Sequence, residues 1–360
     1  MIKIKQGIIG YGGMGSFHHK YIKDELSDIN DVVAAYDIDP ERVALAEAEG
    51  LTGYHTLEEF LQHDMNTVLV AVPNDYHKDL CIAAMRAGKN VICEKPVAFN
   101  VAELDEMLAV SKECGVMFTV HQNRRYDTDF NIVRKVVEGG MIGDVFAIES
   151  RLYGTGGTMF GWRGQKEHGG GMLYDWGIHL IDQILDLIKE PIVSVYAHLH
   201  HIINPECDDF FKLIIMFANG THAQVEVSTY HCLPVPQEMP RFVAYGTGGA
   251  VRVDDFNGGG KVIQVKTLAD EFSSQIKETS AGPTRTFAPR PDDVLITQEL
   301  PEVKLRWLSY YVNYHKALNG VEPLRVQPQQ VRRVMKVIDA AFESSRLNKS
   351  IDFVEDEFYK

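Results

Sequence analysis

Runs rich in apolar residues recur through the first third of the chain, at residues 4–9, 31–36, 67–72, 91–93 and 116–120. Between them lie stretches whose apolar positions repeat at helical spacing: 16–29, 40–49, 57–62, 78–87 and 101–114. Near-continuous apolar strands are the pattern of strands buried on both faces. Strands alternating with helices of about 10 to 15 residues predict an α/β arrangement, a parallel sheet wound doubly by helices.

Beyond residue 122 the pattern changes. A helix is expected at 130–137, ended by Gly139-Gly140, and then runs of strand character at 145–153, 192–201, 210–217, 222–230, 242–245, 250–253 and 262–265. Strand follows strand across Asn219-Gly220 and Gly248-Gly249, dipeptides suited to tight hairpin turns. Two domains are therefore expected: 1–122, and 123–360 as an α+β unit on a large, mostly antiparallel sheet, with a final helix at 329–346. Segment 254–300, rich in Gly, Pro and Ser and poor in periodicity, reads as a lid, flap or subunit contact.

The 360 residues suffice for about two hydrophobic cores, and 45% hydrophobic with 24% charged residues are globular proportions. A formal charge of -14 argues against nucleic acid or an anionic membrane as partner. No apolar run approaches the roughly 18 residues of a membrane helix, and no signal peptide is visible. Five scattered cysteines without CxxC spacing suggest a reduced, cytoplasmic protein.

The first strand leads directly into Gly10-Tyr11-Gly12-Gly13-Met14-Gly15. In this G-x-G-x-x-G spacing the first glycine makes a tight turn and the second lets the backbone approach a pyrophosphate. The third lets a helix pack close, its N-terminus facing the phosphates. Asp37 ends the second strand at about the spacing expected of a carboxylate that binds a ribose diol. That carboxylate favours NAD and would repel a 2'-phosphate; Ile38 follows it, although Arg42 leaves room for dual use. Pro73, Asn74 and His77 follow the 67–72 strand on the same rim.

Val91-Ile92-Cys93 delivers Glu94, Lys95 and Pro96 to that rim, where open α/β sheets place ligands. Pro96 turns the chain sharply where the lysine emerges. Further on, Gly169-Gly170-Gly171 precedes a helix carrying Asp175 and His179 at i and i+4, on one face, with Asp182 near the same stripe. A carboxylate one turn from an imidazole can orient it as a general base.

The glycine loop, Asp37, Pro73-Asn74 with His77, Glu94-Lys95-Pro96, and the glycine run followed by Asp175 and His179 together resemble the Gfo/Idh/MocA family, the glucose-fructose oxidoreductase and inositol dehydrogenase group. The likeness spans nearly the whole chain. It implies a Rossmann domain followed by an open-faced sheet domain, and oxidation or reduction of a secondary hydroxyl on a sugar, glycoside or cyclitol with NAD, NADP being second choice. It marks Lys95, Asp175 and His179 as the catalytic set, with either Lys95 or His179 as the base. It also implies a homo-oligomer paired through the open face of the sheet.

Candidates for substrate recognition are Arg124, Arg125, Tyr126, Tyr153, Trp162, Arg163 and His168, with Tyr126, Trp162 and Arg163 foremost. Alternation on a strand would put His198 and His200 on one face, but no set of metal ligands is completed and no metal is expected. Two other readings fit some relatives: an NAD-using enzyme that cleaves glycosides through transient oxidation, and a sensor without chemistry. Retention of Lys95, Asp175 and His179 together counts against the sensor.

Overall fold

The computed structural model describes residues 1–154, 156–157, 159–231, 239–266, 276–285 and 294–357. Six parallel strands form the first sheet: β1 (Ile4–Ile9), β2 (Asn30–Tyr36), β3 (Thr52–Tyr54), β4 (Thr67–Val70), β5 (Asn90–Cys93) and β6 (Phe118–Val120). Their order, β3-β2-β1-β4-β5-β6, reverses direction between β1 and β4. Loops diverge at such a point and leave a crevice beyond the strands' carboxyl ends. Ile8, Ile9, Val68, Leu69, Val70, Val91 and Ile92 are fully buried, which accounts for the unbroken apolar runs.

The helices of this half are α1 (Gly13–Glu25), α2 (Pro40–Ala48), α3 (Leu57–Gln62), α4 (His77–Arg86) and α5 (Val101–Cys114). Local chemistry sets several of their ends. Asp39 accepts from the Glu41 amide with Pro40 in the first turn, and Asn100 accepts from the Glu103 amide at 2.9 Å. Gly115, at φ 64°, stops α5 in the left-handed region. The first helix starts three residues earlier than the pattern suggests, because the glycine loop itself supplies its first turn.

The second sheet has nine strands: β7 (Val145–Tyr153), β8 (Ile192–His200), β9 (Phe210–Phe217), β10 (His222–Ser228), β11 (Phe242–Gly246), β12 (Gly249–Val253), β13 (Gly260–Val265), β16 (Leu295–Gln298) and β17 (Ile351–Asp352). A small hairpin, β14 (Ile276–Thr279) and β15 (Gly282–Arg285), stands apart from it. The order is β16-β13-β12-β11-β7-β10-β9-β8-β17, antiparallel except for β7 beside β10. Helices α6 (Thr128–Glu138), α7 (Ile178–Leu187) and α9 (Pro328–Leu347) pack on this sheet. Phe211, Leu213, Ile215, Val225 and Val227 are buried, while the alternate positions Lys212, Ile214, Met216, Gln224 and Glu226 are less covered.

Two features depart from the sequence reading. Segment 254–300 is not simply loop: beyond β13, which matches the strand expected at 262–265, β16 extends the large sheet, and β14 with β15 makes a hairpin closed by a hydrogen bond from Thr279 Oγ1 to the Gly282 carbonyl. β16 is mostly exposed, so it shows no apolar alternation. Residues 267–275 and 286–293 of this segment lie outside the described residues. The second feature is α8 (Leu308–Leu318), which has no side-chain cap to announce it. It packs back against the first half of the chain: the Tyr311 hydroxyl meets His18 Nδ1 of α1 at 2.8 Å and the Tyr314 hydroxyl meets Thr67 Oγ1 of β4 at 3.1 Å. Helix α9 then touches α5, β6, α7 and β8, binding both sheets into one body.

Candidate active site

The loops after β1, β2, β4, β5 and β6 all open onto one rim, so the spacing motifs converge. Gly10 lies at φ 89°, where a Cβ would come within 2.5 Å of the Ala71 carbonyl, and a Cβ on Gly15 would lie 2.0 Å from the Gly10 carbonyl. These two glycines are required by the chain's own packing. Gly12 and Gly13 differ, since a Cβ there would meet nothing within 4 Å. Glycine at those two positions leaves open space at the N-terminus of α1, which suits a pyrophosphate. Met14, between them and Gly15, is partly exposed.

Beside this loop is a cavity of about 330 Å³, lined by Gly10, Gly12, Asp37, Val72, Pro73 and Tyr76 among others. Asp37 accepts from the Tyr11 amide at 2.7 Å and from the Asp39 amide at 3.0 Å, which ties the glycine loop to the end of β2. An adenosine ribose and its phosphates fit this donor set and cavity. Asn74 is buried and donates to the Gly169 carbonyl at 3.0 Å, joining the cofactor rim to the glycine run.

His77 and Glu94 hold the rim from within. The ring nitrogens of His77 lie 2.7 Å from the Pro96 carbonyl and 3.0 Å from the Val72 carbonyl, bracing the turn that carries Lys95. The Lys95-Pro96 peptide is cis. Glu94 Oε1 lies 2.8 Å from both His18 Nε2 and His121 Nδ1. Burial pushes its carboxyl up, but His121 and His18 outweigh burial and hold it well below the usual carboxylate range. Among the described residues these three side chains are the one group of three or more that could hold a metal ion; the sequence reading did not find it, because His18 and His121 lie 76 and 27 residues from Glu94.

The glycine run brings the second half of the site to Lys95. Gly171, at φ 111°, would have its Cβ 2.3 Å from Asp208 Oδ1. Asp208 Oδ2 instead accepts from the Leu173 amide at 2.8 Å and its carbonyl accepts from Met172 at 2.9 Å, so one acidic residue caps the turn. Burial pushes the Asp208 carboxyl up to about 7. From Leu173 to Gly177 the chain is a π-helical turn that runs into α7. Such wide turns occur frequently at functional sites.

On that turn Asp175 receives Lys95 twice: Nζ donates to Oδ1 and to the Asp175 carbonyl, each at 2.7 Å. Burial raises the Asp175 carboxyl, but Lys95, then Arg163 and Arg124, more than cancel it and hold it below its ordinary value. The expected orienting of His179 by Asp175 is therefore replaced by a different pairing. His179 Nδ1 lies 3.0 Å from Gln122 Oε1, and Asp182 is engaged by Arg125 through two hydrogen bonds of 2.7 and 2.6 Å. Burial, then Lys95 and Arg124, hold the His179 imidazole well below its usual range, so it is neutral at pH 7.

The remaining candidates divide into two groups. Arg124 lies over the rings of Trp176, Trp307 and Phe256 at 4.7, 5.1 and 5.4 Å, and pairs with Asp127 at 3.1 Å. Trp162 stacks under Arg163 at 4.5 Å, and both line a narrow cleft with Asn74, Pro96 and Asp175. These residues stand at the Lys95–His179 centre. Tyr126 does not: it is buried beneath Arg325, an apolar wall of the core. Tyr153 stacks on His231 at 4.2 Å and donates to Glu226 on the large sheet, and His168 pairs with Asp75 at 3.0 Å. His198 and His200 meet edge to face on β8, their ring centres 4.4 Å apart. Gln122, Asp208, Trp176 and Trp307 were missed by the sequence reading, since no spacing rule singles them out.

Comparison with known proteins bears on the fold and the family. Residues 4–122 match the oxidoreductase family with an NAD-binding Rossmann fold, and residues 130–252 match the GFO/IDH/MocA C-terminal domain. A scyllo-inositol 2-dehydrogenase (NADP(+)), IolW of Bacillus subtilis, is 27% identical over 355 residues, covering 97% of this chain and 95% of that protein. The crystal structure of an NAD-binding protein from Listeria innocua is 36% identical with a TM-score of 0.86, covering 99% of this chain and 98% of that one. The WlbA dehydrogenase from Bordetella pertussis, solved with NADH and UDP-GlcNAcA, shares the fold at 23% identity and TM-score 0.76, covering 99% of this chain and all (100%) of that one. Among the described residues no helix is long and apolar enough to cross a membrane. With both halves matched and the glycine loop, Lys95, Asp175 and His179 assembled on one rim, the chain belongs to the GFO/IDH/MocA family of NAD-binding oxidoreductases.

Proposed function

We propose that the protein is an NAD-dependent dehydrogenase acting on a secondary hydroxyl of a sugar, glycoside or cyclitol. The observation that carries this reading is the pair of 2.7 Å hydrogen bonds from Lys95, at the end of β5, to Asp175, beside a neutral buried His179. An ammonium held by a carboxylate can polarise a hydroxyl oxygen, and a neutral imidazole can take its proton. His179 is the base, Lys95 polarises the oxygen, and Asp175 positions Lys95 and receives a neighbouring substrate hydroxyl. Bound NAD supplies the hydride acceptor. Gly10, Gly12, Gly13, Met14, Gly15, Asp37, Pro73 and Asn74 hold it, while His77 and Glu94 brace the rim beneath it.

Arg124, Trp162, Arg163 and Trp176 form the polar and aromatic wall expected around a polyhydroxylated substrate. The similarity to an inositol dehydrogenase supports this substrate class. Asp37 supports NAD over NADP, because a 2'-phosphate would meet its carboxylate. The less covered face of the second sheet is the surface for pairing with a second copy, and the free thiols of Cys81, Cys93, Cys114 and Cys207 suit a reducing, cytoplasmic compartment.

The test is a panel of inositols, aldoses, uronates and glycosides, each with NAD or NADP, followed by absorbance of the reduced nicotinamide. Turnover of at least one polyol or sugar, with a preference for NAD, is expected. Reduction of neither dinucleotide by any of them would overturn the dehydrogenase reading, and a preference for NADP would overturn the role given to Asp37.

A further inference from the structure

We infer that Gln122 is the positioning residue that decides which nitrogen of His179 acts as the base. This inference rests on the dehydrogenase reading for its catalytic meaning, although the geometry behind it does not. An i, i+4 carboxylate is the obvious candidate for orienting His179, but Asp175 is committed to Lys95. What faces His179 Nδ1 is the side-chain oxygen of Gln122, at 3.0 Å.

An amide oxygen only accepts hydrogen bonds, so with Gln122 in this orientation Nδ1 carries the proton and Nε2 is left with a lone pair. The arrangement is firmly held. Gln122 is fully buried and His179 nearly so. The Gln122 backbone N–H donates to the Val120 carbonyl at 2.8 Å, and its backbone carbonyl accepts from the Arg125 backbone N–H. Trp176 packs against the imidazole at 5.8 Å between ring centres, with the planes inclined at 66°.

A neutral partner also suits the surroundings of His179. Lys95 at the end of β5 and Arg124 beyond β6 are cations facing the ring, with Glu94 and His121 farther into the cluster. A carboxylate at position 122 would draw a proton onto the imidazole, whereas an amide orients the ring without charging it. Gln122 Nε2 is buried and has no partner, so one hydrogen bond alone sets the amide's direction. Reversal of the amide would present a donor to Nδ1, move the imidazole proton to Nε2 and remove the base from the substrate side.

The experiment is ¹⁵N NMR of histidine-labelled protein with NAD added, the His179 signals being assigned by their loss in His179→Asn. The spectrum is expected to show a protonated Nδ1 and a bare Nε2 in the wild type. Gln122→Met, which keeps the shape and removes the acceptor, should give a mixed or reversed tautomer. Gln122→Glu should restore the protonated Nδ1 and move the imidazole titration to higher pH, a response that a packing role would not produce. With the best alcohol from the panel, Gln122→Met should lower kcat roughly 10- to 100-fold while KM stays within about twofold. A wild-type spectrum with the proton on Nε2, or a Gln122→Met protein with unaltered tautomer and kcat, would overturn the inference. The tautomer is read without substrate, so failure of every compound in the panel sinks the dehydrogenase reading alone.

Discussion

Lys95 illustrates how a residue recognised by its neighbours in sequence acquires its role from a partner 80 residues away. Its ammonium organises Asp175 and also helps keep His179 neutral, after burial, which is the larger influence. Lys95→Met should therefore have two effects. The rate should fall by about 100-fold or more, because the polarising cation is gone. His179's depressed pKa should also rise part of the way back toward about 6.5, because burial remains while the cation is removed. In the wild type the acid limb of kcat/KM should lie below pH 6.5, the imidazole losing its function as a base only when it is protonated. In the variant that limb should move to higher pH. A limb that stays in place, measured over pH 4.5 to 8, would detach Lys95 from the electrostatics of the base.

The glycine loop and the π-helical turn are elements whose sequences answer to different demands. Gly15 is glycine because β1 and α1 approach too closely for a methyl group, whereas nothing in the protein touches the place of a side chain on Gly12. Gly15→Ala should thus cost about 1 to 3 kcal/mol of stability by overpacking, read as a lower unfolding midpoint in urea. Gly12→Ala should keep stability within about 1 kcal/mol of wild type, so that the midpoint barely moves, and lose most affinity for NAD in a calorimetric titration. Equal NAD binding by Gly12→Ala and wild type would contradict the placing of the pyrophosphate. The turn at 173–177 was less legible. Asp175 and His179 were visible as an i, i+4 pair, but the wide turn and the cap from Asp208 send their side chains to Lys95 and Gln122 instead. Helix α8 was not foreseen because its inward face is largely aromatic, with Tyr310, Tyr311 and Tyr314 all buried.

At the scale of the whole molecule, helices pack on one face of the nine-stranded sheet, and large apolar side chains on its strands stay partly exposed: Met216 at 38% and Tyr245 at 36%. If that surface pairs two copies, the wild type should sediment as an oligomer, and a Met216→Lys, Tyr245→Glu double variant should sediment as a single chain with its unfolding midpoint little changed. A monomeric wild type would remove the pairing surface from the proposal. The sequence by itself determined the alternation of strands and helices in the first half, the antiparallel character of the second, and the glycine loop, Asp37 and Lys95 at strand ends. These follow from local periodicity, turn chemistry and short-range spacing, which need no knowledge of distant contacts. Only the tertiary structure decided that Asp175 serves Lys95, that Gln122 faces His179, and that Asp208 caps the catalytic turn. Each of those depends on which segments the two sheets and α9 bring together, and contacts between residues 35 to 80 positions apart leave no periodic trace in the chain.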